Sequence, residues 1–389
     1  MKITIKTEQL KSLINKFSSF VKYAKNETDT NKYNFLIKSV GGCLIATIYQ
    51  NYDVMFNVKI DYQDCNFDLS DDKHICLIPL KKFSDLCKKI DCENVYFNIE
   101  SYQVIIQMNT TKVLYKIDSV DKFILMNIKD YNLSSLTKVN GAKLLNAMNL
   151  CAFAMSINDS RSFLNGMLFR LEKDILKLVA TDAHRLAYNE VDHGNSAVEG
   201  SIDSIVQYDN VLLLQKLIND DDVIEISIKN RIVNNQIQHI IMISCEHWNL
   251  IINPIDQKYV DYSRVIPTNN NCTIQVNTKI LKKLIDKVSI IGFNKINGIN
   301  LKFNNENQLL TASVVNETDD EIMDYIKVCG ISNDLHDISF NFNYKYLLDF
   351  VKNCDSEVFN FSWYDNQRSV SFTTPNDNVY KHVLMPLRD

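Results

Sequence analysis

Apolar and polar positions follow two rhythms along this chain, and one combination of them recurs. Ile3 and Ile5 flank Thr4 in the period-two alternation of a half-buried strand, and Leu10, Leu13, Ile14 and Phe17 then fall at i, i+3, i+4 and i+7 on one helix face. Leu136-Thr137 leads in the same way to Leu144, Leu145 and Met148, and Ile274-Gln275-Val276 to Leu281, Leu284, Ile285 and Val288. The interval of about 135 residues is the size of a domain and far longer than a solenoid repeat. Near the middle of each copy a second strand feeds a second helix. Cys76-Leu77-Ile78 precedes Phe83, Leu86, Cys87 and Ile90; Ile205-Val206 precedes Leu213, Leu214 and Leu217; Ile338-Ser339-Phe340 precedes Leu347, Phe350 and Val351. The pattern predicts three copies of one domain, each made of two related halves.

Runs of strand character lie between these helices: Val95 to Ile99, Val104 to Met108, Leu176 to Ala180, Ile224 to Ile228, His239 to Ser244 and Val370 to Thr373. Turn-forming pairs such as Gly41-Gly42 and Asn304-Asn305 separate many of them, which predicts antiparallel hairpins. The expected fold class is α+β, each half reading β-α-β-β-β, with domains at residues 1–130, 131–266 and 267–389.

Composition agrees with globular cores: 389 residues, 46% hydrophobic and 23% charged. No apolar stretch approaches the roughly 18 residues that span a bilayer. Met1-Lys2-Ile3-Thr4-Ile5-Lys6 enters the first repeat without the look of a signal peptide, so a soluble cytoplasmic protein away from membranes is expected. Ten cysteines are scattered without a CxxC, as expected of buried thiols in a reducing compartment. His239, Cys245 and His247 lack a second close ligand pair, so no metal is expected.

Charge changes the picture once it is placed on the helices. The formal net charge is -5, yet the polar faces of the expected helices carry Lys11, Lys16, Lys81, Lys82, Lys88, Lys89, Lys143, Lys216, Lys282, Lys283, Lys287, Lys345 and Lys352 against Asp85, Asp286 and Asp349. Lysine is a good helix former on any solvated face, but its recurrence in every unit points to a polyanion facing the helices.

The most distinctive local sequences are Arg161-Ser162-Phe163-Leu164-Asn165-Gly166-Met167-Leu168-Phe169 and Leu178-Val179-Ala180-Thr181-Asp182-Ala183-His184-Arg185-Leu186-Ala187. They resemble the middle domain of bacterial sliding clamps, the beta subunit of DNA polymerase III. Tyr259 to Pro267 resembles the linker that follows, and Phe342 to Asp349 and Val383 to Arg388 resemble the third domain. Met1 to Ile5 is similar to a clamp start, so the resemblance covers the whole chain.

The resemblance implies a head-to-tail homodimer whose helices line a ring around duplex DNA and whose antiparallel sheets lie outside. It implies a processivity factor, not an enzyme, that tethers the replicative polymerase. Implied partners are the DNA polymerase III alpha subunit, the clamp loader, and mismatch repair and other replication proteins that dock short Leu- and Phe-containing peptides. By residue match the peptide cleft comprises Leu164, Thr181, His184, Arg185, Leu186, Val260, Arg264, Val265, Ile296, Asn343, Tyr346, Ser369, Val383, Leu384, Met385, Pro386, Leu387 and Arg388. DNA contacts fall to Arg161, with Asn158, Ser162 and Phe163 beside it, and to Lys22 and Lys25 after the first helix. Ring closure falls to Ile290 and Ile291 against an edge near Leu114; adjacent helical positions point about 100° apart, so one isoleucine faces inward. The chain departs from the family at Ala183, where Gly is usual, at Val260, where Pro is usual, at Ile296, where an aromatic residue is possible, and in ending on Asp389.

Two other readings stay open. Asp182 and His184, two apart, are a candidate general-base pair of a hydrolase, although no GxSxG, HExxH or P-loop accompanies them. A divergent clamp that serves as a scaffold without encircling DNA is the other. Without a Gly-rich phosphate loop no nucleotide is expected, and no cofactor of any kind.

Overall fold

Six helices and twenty-six strands form among the described residues, and each expected strand-and-helix pair is present. The computed structural model describes residues 2–23, 34–40, 43–50, 54–60, 63–66, 75–100, 103–116, 136–194, 198, 200–233, 236–291, 297–332, 334–375 and 377–387. The helices are α1 (Thr7–Tyr23), α2 (Leu80–Cys87), α3 (Gly141–Ala152), α4 (Tyr208–Leu217), α5 (Thr278–Val288) and α6 (Tyr344–Asn353). In α5 the expected stripe Leu281, Leu284, Ile285 and Val288 is buried, and the Asn277 side chain caps the start by accepting from the Ile280 amide. Asn343 caps α6 in the same way, accepting from the Lys345 amide.

Three repetitions of one strand exchange account for the internal symmetry. The strand before the first helix of each repeat pairs antiparallel with the strand after the second helix: Lys2–Lys6 with Asn94–Glu100, Thr137–Asn140 with Val223–Val233, and Cys272–Asn277 with Val358–Trp363. Conversely, the strand before the second helix pairs with the strand after the first: Ile75–Pro79 with Asn34–Val40, Ile202–Gln207 with Gly166–Leu171, and Ile338–Asn343 with Gly298–Asn304. One hydrogen bond locks the first exchange each time, from the Thr7, Gly141 and Thr278 amides to the Glu93, Asp222 and Glu357 carbonyls at 2.9, 2.7 and 2.9 Å. Thr7 and Thr278 add hydroxyl bonds to the Cys92 and Ser356 carbonyls. At the middle copy a Cβ on Gly141 would lie 2.3 Å from the Asn219 carbonyl oxygen, so only glycine fits there.

Backbone contacts divide the chain into two units, and the middle repeat contributes to both. The first unit comprises residues 1–142, 195–197 and 209–256. It holds a five-stranded sheet, with Thr111–Lys116 as one of its outer strands, and an eight-stranded sheet. In the larger sheet Trp248–Ile252 of the middle repeat pairs with Val54–Ile60 of the first, and Asn57, which accepts from Thr47 within the first repeat, donates to Asn249 across the join. Phe17, Phe35, Phe56, Phe83, Phe97 and Trp248 form a linked aromatic core, with successive ring centroids 5.5 to 6.3 Å apart.

The second unit comprises residues 143–194, 198–208 and 257–389. Its nine-stranded sheet joins the middle and last repeats where Arg185–Asp192 pairs with Asp377–Leu384, with Arg185 opposite Leu384 and Leu186 opposite Val383. A four-stranded sheet completes it, with Glu321–Lys327 as an outer strand. Phe340, Phe342, Phe350, Phe361, Trp363 and Phe372 fill the core between.

The expected hairpins form. Asn304 ends one strand of a pair and Leu309 begins the next; Gly41-Gly42 lie outside the described residues, and Val40 pairs with Cys43 on either side of them. Lysines outnumber acids on the helices as expected, with two corrections. Lys88 and Lys89 follow the end of α2, and Glu8 and Asp209 add carboxylates in the first turns of α1 and α4, where the helix dipole favours negative charge.

Candidate functional site

The join between the middle and last repeats in the second unit carries a cleft built from three ends of backbone. The turn after Ile175–Thr181, the segment Gln257–Pro267 and the tail after Asp377–Leu384 converge there. The tail is held by main-chain bonds, Met385 N–H to the His184 carbonyl at 3.0 Å and Leu387 N–H to the Asn341 carbonyl at 2.7 Å.

The turn is organised by Asp182. Its Oδ1 accepts from the His184 and Arg185 amides at 3.0 Å each, and its Oδ2 accepts from Arg185 Nε at 3.0 Å. Thr181 Oγ1 donates to the Arg185 carbonyl at 2.6 Å and accepts from the Ala183 amide at 3.1 Å. Ala183 is thereby held at φ +75°, the left-handed region that glycine adopts without cost. The carboxylate meets His184 through its main-chain amide, while the imidazole stacks on Tyr346 with centroids 6.1 Å apart. Asp182 is thus engaged in positioning Arg185, which counts against the alternative reading of Asp182 and His184 as an acid–base pair.

Arg185 is the buried post of the cleft. Its guanidinium also reaches Asp349 on α6 and lies over the Tyr346 ring, 4.5 Å from Cζ to the centroid, and the Phe153 ring at 5.6 Å. Burial pushes the Tyr346 phenol above its ordinary pKa, with the Asp182 charge adding to the effect.

Two adjoining pockets occupy the cleft. The smaller, about 200 Å³, is lined by Arg161, Phe163, Leu164, Thr181, Ala183, Arg185, Leu186, Val260, Val265, Val383 and Met385. The larger is lined by Ala183, His184, Arg264, Val265, Ser369, Met385, Pro386 and Leu387, together with Ile266, Pro267, Thr268, Asn269, Asn270, Tyr364, Gln367 and Arg368. An apolar floor with a few polar groups around it suits the burial of aliphatic or aromatic side chains and the orientation of the backbone that carries them.

Thirteen of the expected cleft residues line these pockets. Leu384 does not: strand alternation turns it from Val383 into the core, where it is wholly buried. Asn343 serves as the α6 cap, and Tyr346 stands behind the lining against Arg185 and His184. Ile296, Arg388 and Asp389 lie outside the described residues. The sequence reading missed Pro267 to Asn270 and the loop Tyr364 to Arg368 as a cleft wall, because no linear motif marks a loop delivered by tertiary pairing.

The residues expected at DNA fall in two places. Arg161 forms a forked ion pair with Asp159, Nε to Oδ1 and Nη2 to Oδ2 at 3.0 Å each, and this hydrogen bonding lowers the Asp159 carboxyl to a pKa of about 2. Asn158 before it has φ +61°, and Ser162 opens the one-turn helix Ser162–Asn165. Arg161 and Phe163 line the smaller pocket, with the Phe163 ring edge-on to Tyr259. Lys22 is in α1, and Lys25 lies outside the described residues. Of the residues expected at ring closure, Ile290 is 77% exposed while Ile291 packs against the core, so one of the two does face inward. Leu114 is 48% exposed on an outer strand of its sheet.

Comparison with known proteins bears on this architecture. Residues 138–261 match the family described as DNA polymerase III beta subunit, central domain, and residues 263–388 the family described as DNA polymerase III beta subunit, C-terminal domain. The beta sliding clamp of Vibrio cholerae is 24% identical over 313 residues, 80% of this chain and 81% of that one. The beta sliding clamp of Haemophilus influenzae is 25% identical over 324 residues with the same coverage. Among solved structures, the DNA polymerase III subunit beta of Pseudomonas aeruginosa aligns with TM-score 0.86 at 22% identity over 100% of both chains. That of Thermotoga maritima aligns with TM-score 0.82 at 17% identity over 100% of this chain and 99% of the other.

Proposed function

This chain belongs to the DNA polymerase III beta subunit family, the beta sliding clamps, and from that premise we propose that two copies close head to tail into a ring around duplex DNA. The ring tethers the replicative polymerase for processive synthesis and catalyses no reaction itself. The clamp loader, the polymerase alpha subunit and mismatch repair proteins share the cleft, each through a short Leu- and Phe-containing peptide, in the cytoplasm. The three domains are residues 1–130, 131–266 and 267–389; the threefold strand exchange and the matched spans 138–261 and 263–388 support that division.

A net charge of -5 is compatible with DNA as the partner. Affinity built from many phosphate contacts grows with the counterions released and would hold the protein in place, whereas a closed ring retains DNA by topology and needs only a diffuse positive lining. The lysine-rich helices supply such a lining. Ring closure joins the outer strand Thr111–Lys116 of one copy to Glu321–Lys327 of the other. Among the described residues both are sheet edges, one bearing exposed Lys112 and Lys116 and the other exposed Glu321 and Lys327.

The observation that carries the reading is the apolar pocket between Leu164, Leu186, Val265, Val383 and Met385. A fluorescent Gln-Leu-x-Leu-Phe peptide should bind saturably to the purified protein and lose affinity on Met385→Glu, which places a charge at a residue 42% exposed on the pocket wall. Unaltered binding in that variant places the peptide elsewhere and defeats the assignment of the cleft.

A further inference from the structure

Every charged side chain lining the two pockets is basic. Arg161 and Arg185 line the smaller and are already taken up, by Asp159 and by Asp182 with Asp349, while Arg264 and Arg368 line the larger, with His184 beside them. The carboxylates that hold the two arginines of the larger pocket, Asp261 and Asp365, are absent from its lining. They grip through Nε, at 2.9 Å for Arg264 and 3.3 Å for Arg368, which leaves the Nη donors to an incoming ligand.

Arg368 is also placed in advance. Its guanidinium lies 4.4 Å from the centroid of the Tyr364 ring, and Asp365 Oδ1 accepts from the Gln367 and Arg368 amides at 2.9 Å each, tightening the loop that presents it. A side chain fixed by an aromatic face and an ion pair loses less freedom when a ligand arrives.

We propose that Arg264 and Arg368, on the wall of the larger pocket, select among partner peptides those that carry acidic residues beside their apolar anchors. The inference rests on the reading of the cleft as a peptide groove and adds to it the charge of the segment. The apolar floor of Leu164, Leu186, Val265 and Val383 favours a peptide over a nucleic acid backbone, which would leave that floor unfilled.

Fluorescence anisotropy of the full chain with three labelled forms of Gln-Leu-x-Leu-Phe tests it: neutral flanks, two glutamates before the motif, or two after it. One acidic form is expected to bind about fivefold tighter than the neutral one at low salt. The advantage shrinks as salt is raised, and Arg368→Gln or Arg264→Gln brings the ratio toward one. Equal affinities for all three peptides, with the neutral form saturable, overturn the acidic selection and leave the groove standing. No binding of any form overturns both. A peptide ratio unchanged in Arg368→Gln, with retention on nicked circular DNA lost instead, assigns the arginine to phosphate and also overturns the proposal.

Discussion

Arg185 Nη1 donates to Asp349 Oδ2 at 2.6 Å across 164 positions of sequence, tying the middle repeat to α6 of the last. Asp182 takes the other side of the guanidinium, so a side chain only 8% exposed carries its charge between two carboxylates. Removing it leaves Asp182 paired only with amides, and Arg185→Ala is expected to lower unfolding free energy by about 3 kcal/mol. Asp349 is 39% exposed, so solvent screens its share, and Asp349→Ala should cost about 1 kcal/mol. Urea denaturation of the two variants and the double variant measures both values and their coupling.

At Ala183 the expected variant effect is a gain. A left-handed L-residue costs roughly 1–2 kcal/mol, and glycine returns part of that through the freedom of the unfolded chain, so Ala183→Gly should stabilise by about 0.5–1 kcal/mol. Because both pockets share this residue, the same variant should also alter peptide affinity. Thermal or urea unfolding beside peptide titration checks the pair of effects.

His382 predicts how stability depends on pH. Its ring is stacked on Phe350 at 5.1 Å and Phe372 at 5.7 Å and is wholly buried. Burial first, and the Arg185 charge second, lower its pKa from 6.5 to about 3. The folded protein therefore keeps the imidazole neutral while the unfolded chain takes a proton below 6.5. Stability from this group is complete above that pH and falls as pH drops toward about 3, by about 1.4 kcal/mol per unit. His382→Phe should abolish the slope, so that moving from neutrality to about pH 5 costs the variant about 2 kcal/mol less than the wild type. Equal pH slopes in denaturant titrations of the two proteins would refute this.

Ile290 and Ile291 separate assembly from folding. Ile290→Ser should weaken self-association at least about tenfold, since an exposed aliphatic group lost from an interface is worth over 1 kcal/mol, and should leave the unfolding midpoint nearly unchanged. Ile291→Ser should do the reverse, because its side chain packs on the core. Analytical ultracentrifugation and denaturation of both variants distinguish the roles.

Retention on circular DNA tests the ring directly. The wild type should remain on a nicked circle at moderate salt and leave when the circle is cut, because topology and not phosphate affinity holds it. Equal loss from circular and linear DNA would favour the scaffold that does not encircle.

Sequence by itself determined the helices and strands and their threefold recurrence, because periodicity is local and a buried stripe must repeat with its element; the residues of the cleft came from the resemblance of its motifs to the sliding clamps. Leu281, Leu284, Ile285 and Val288 are such a stripe, and they are buried as the pattern requires. Tertiary structure decided what depends on distant pairing. It joined Val54–Ile60 to Trp248–Ile252, distributing the middle repeat over two units, and turned Leu384 into the core while Val383, also buried, lines the smaller pocket. It also carried the loop Tyr364 to Arg368 to the cleft and spent the Asp182 carboxylate on Arg185. A carboxylate, an arginine or an edge strand has the same local sequence whichever partner it meets, so its role is set only when long-range strand register brings that partner within a few ångströms.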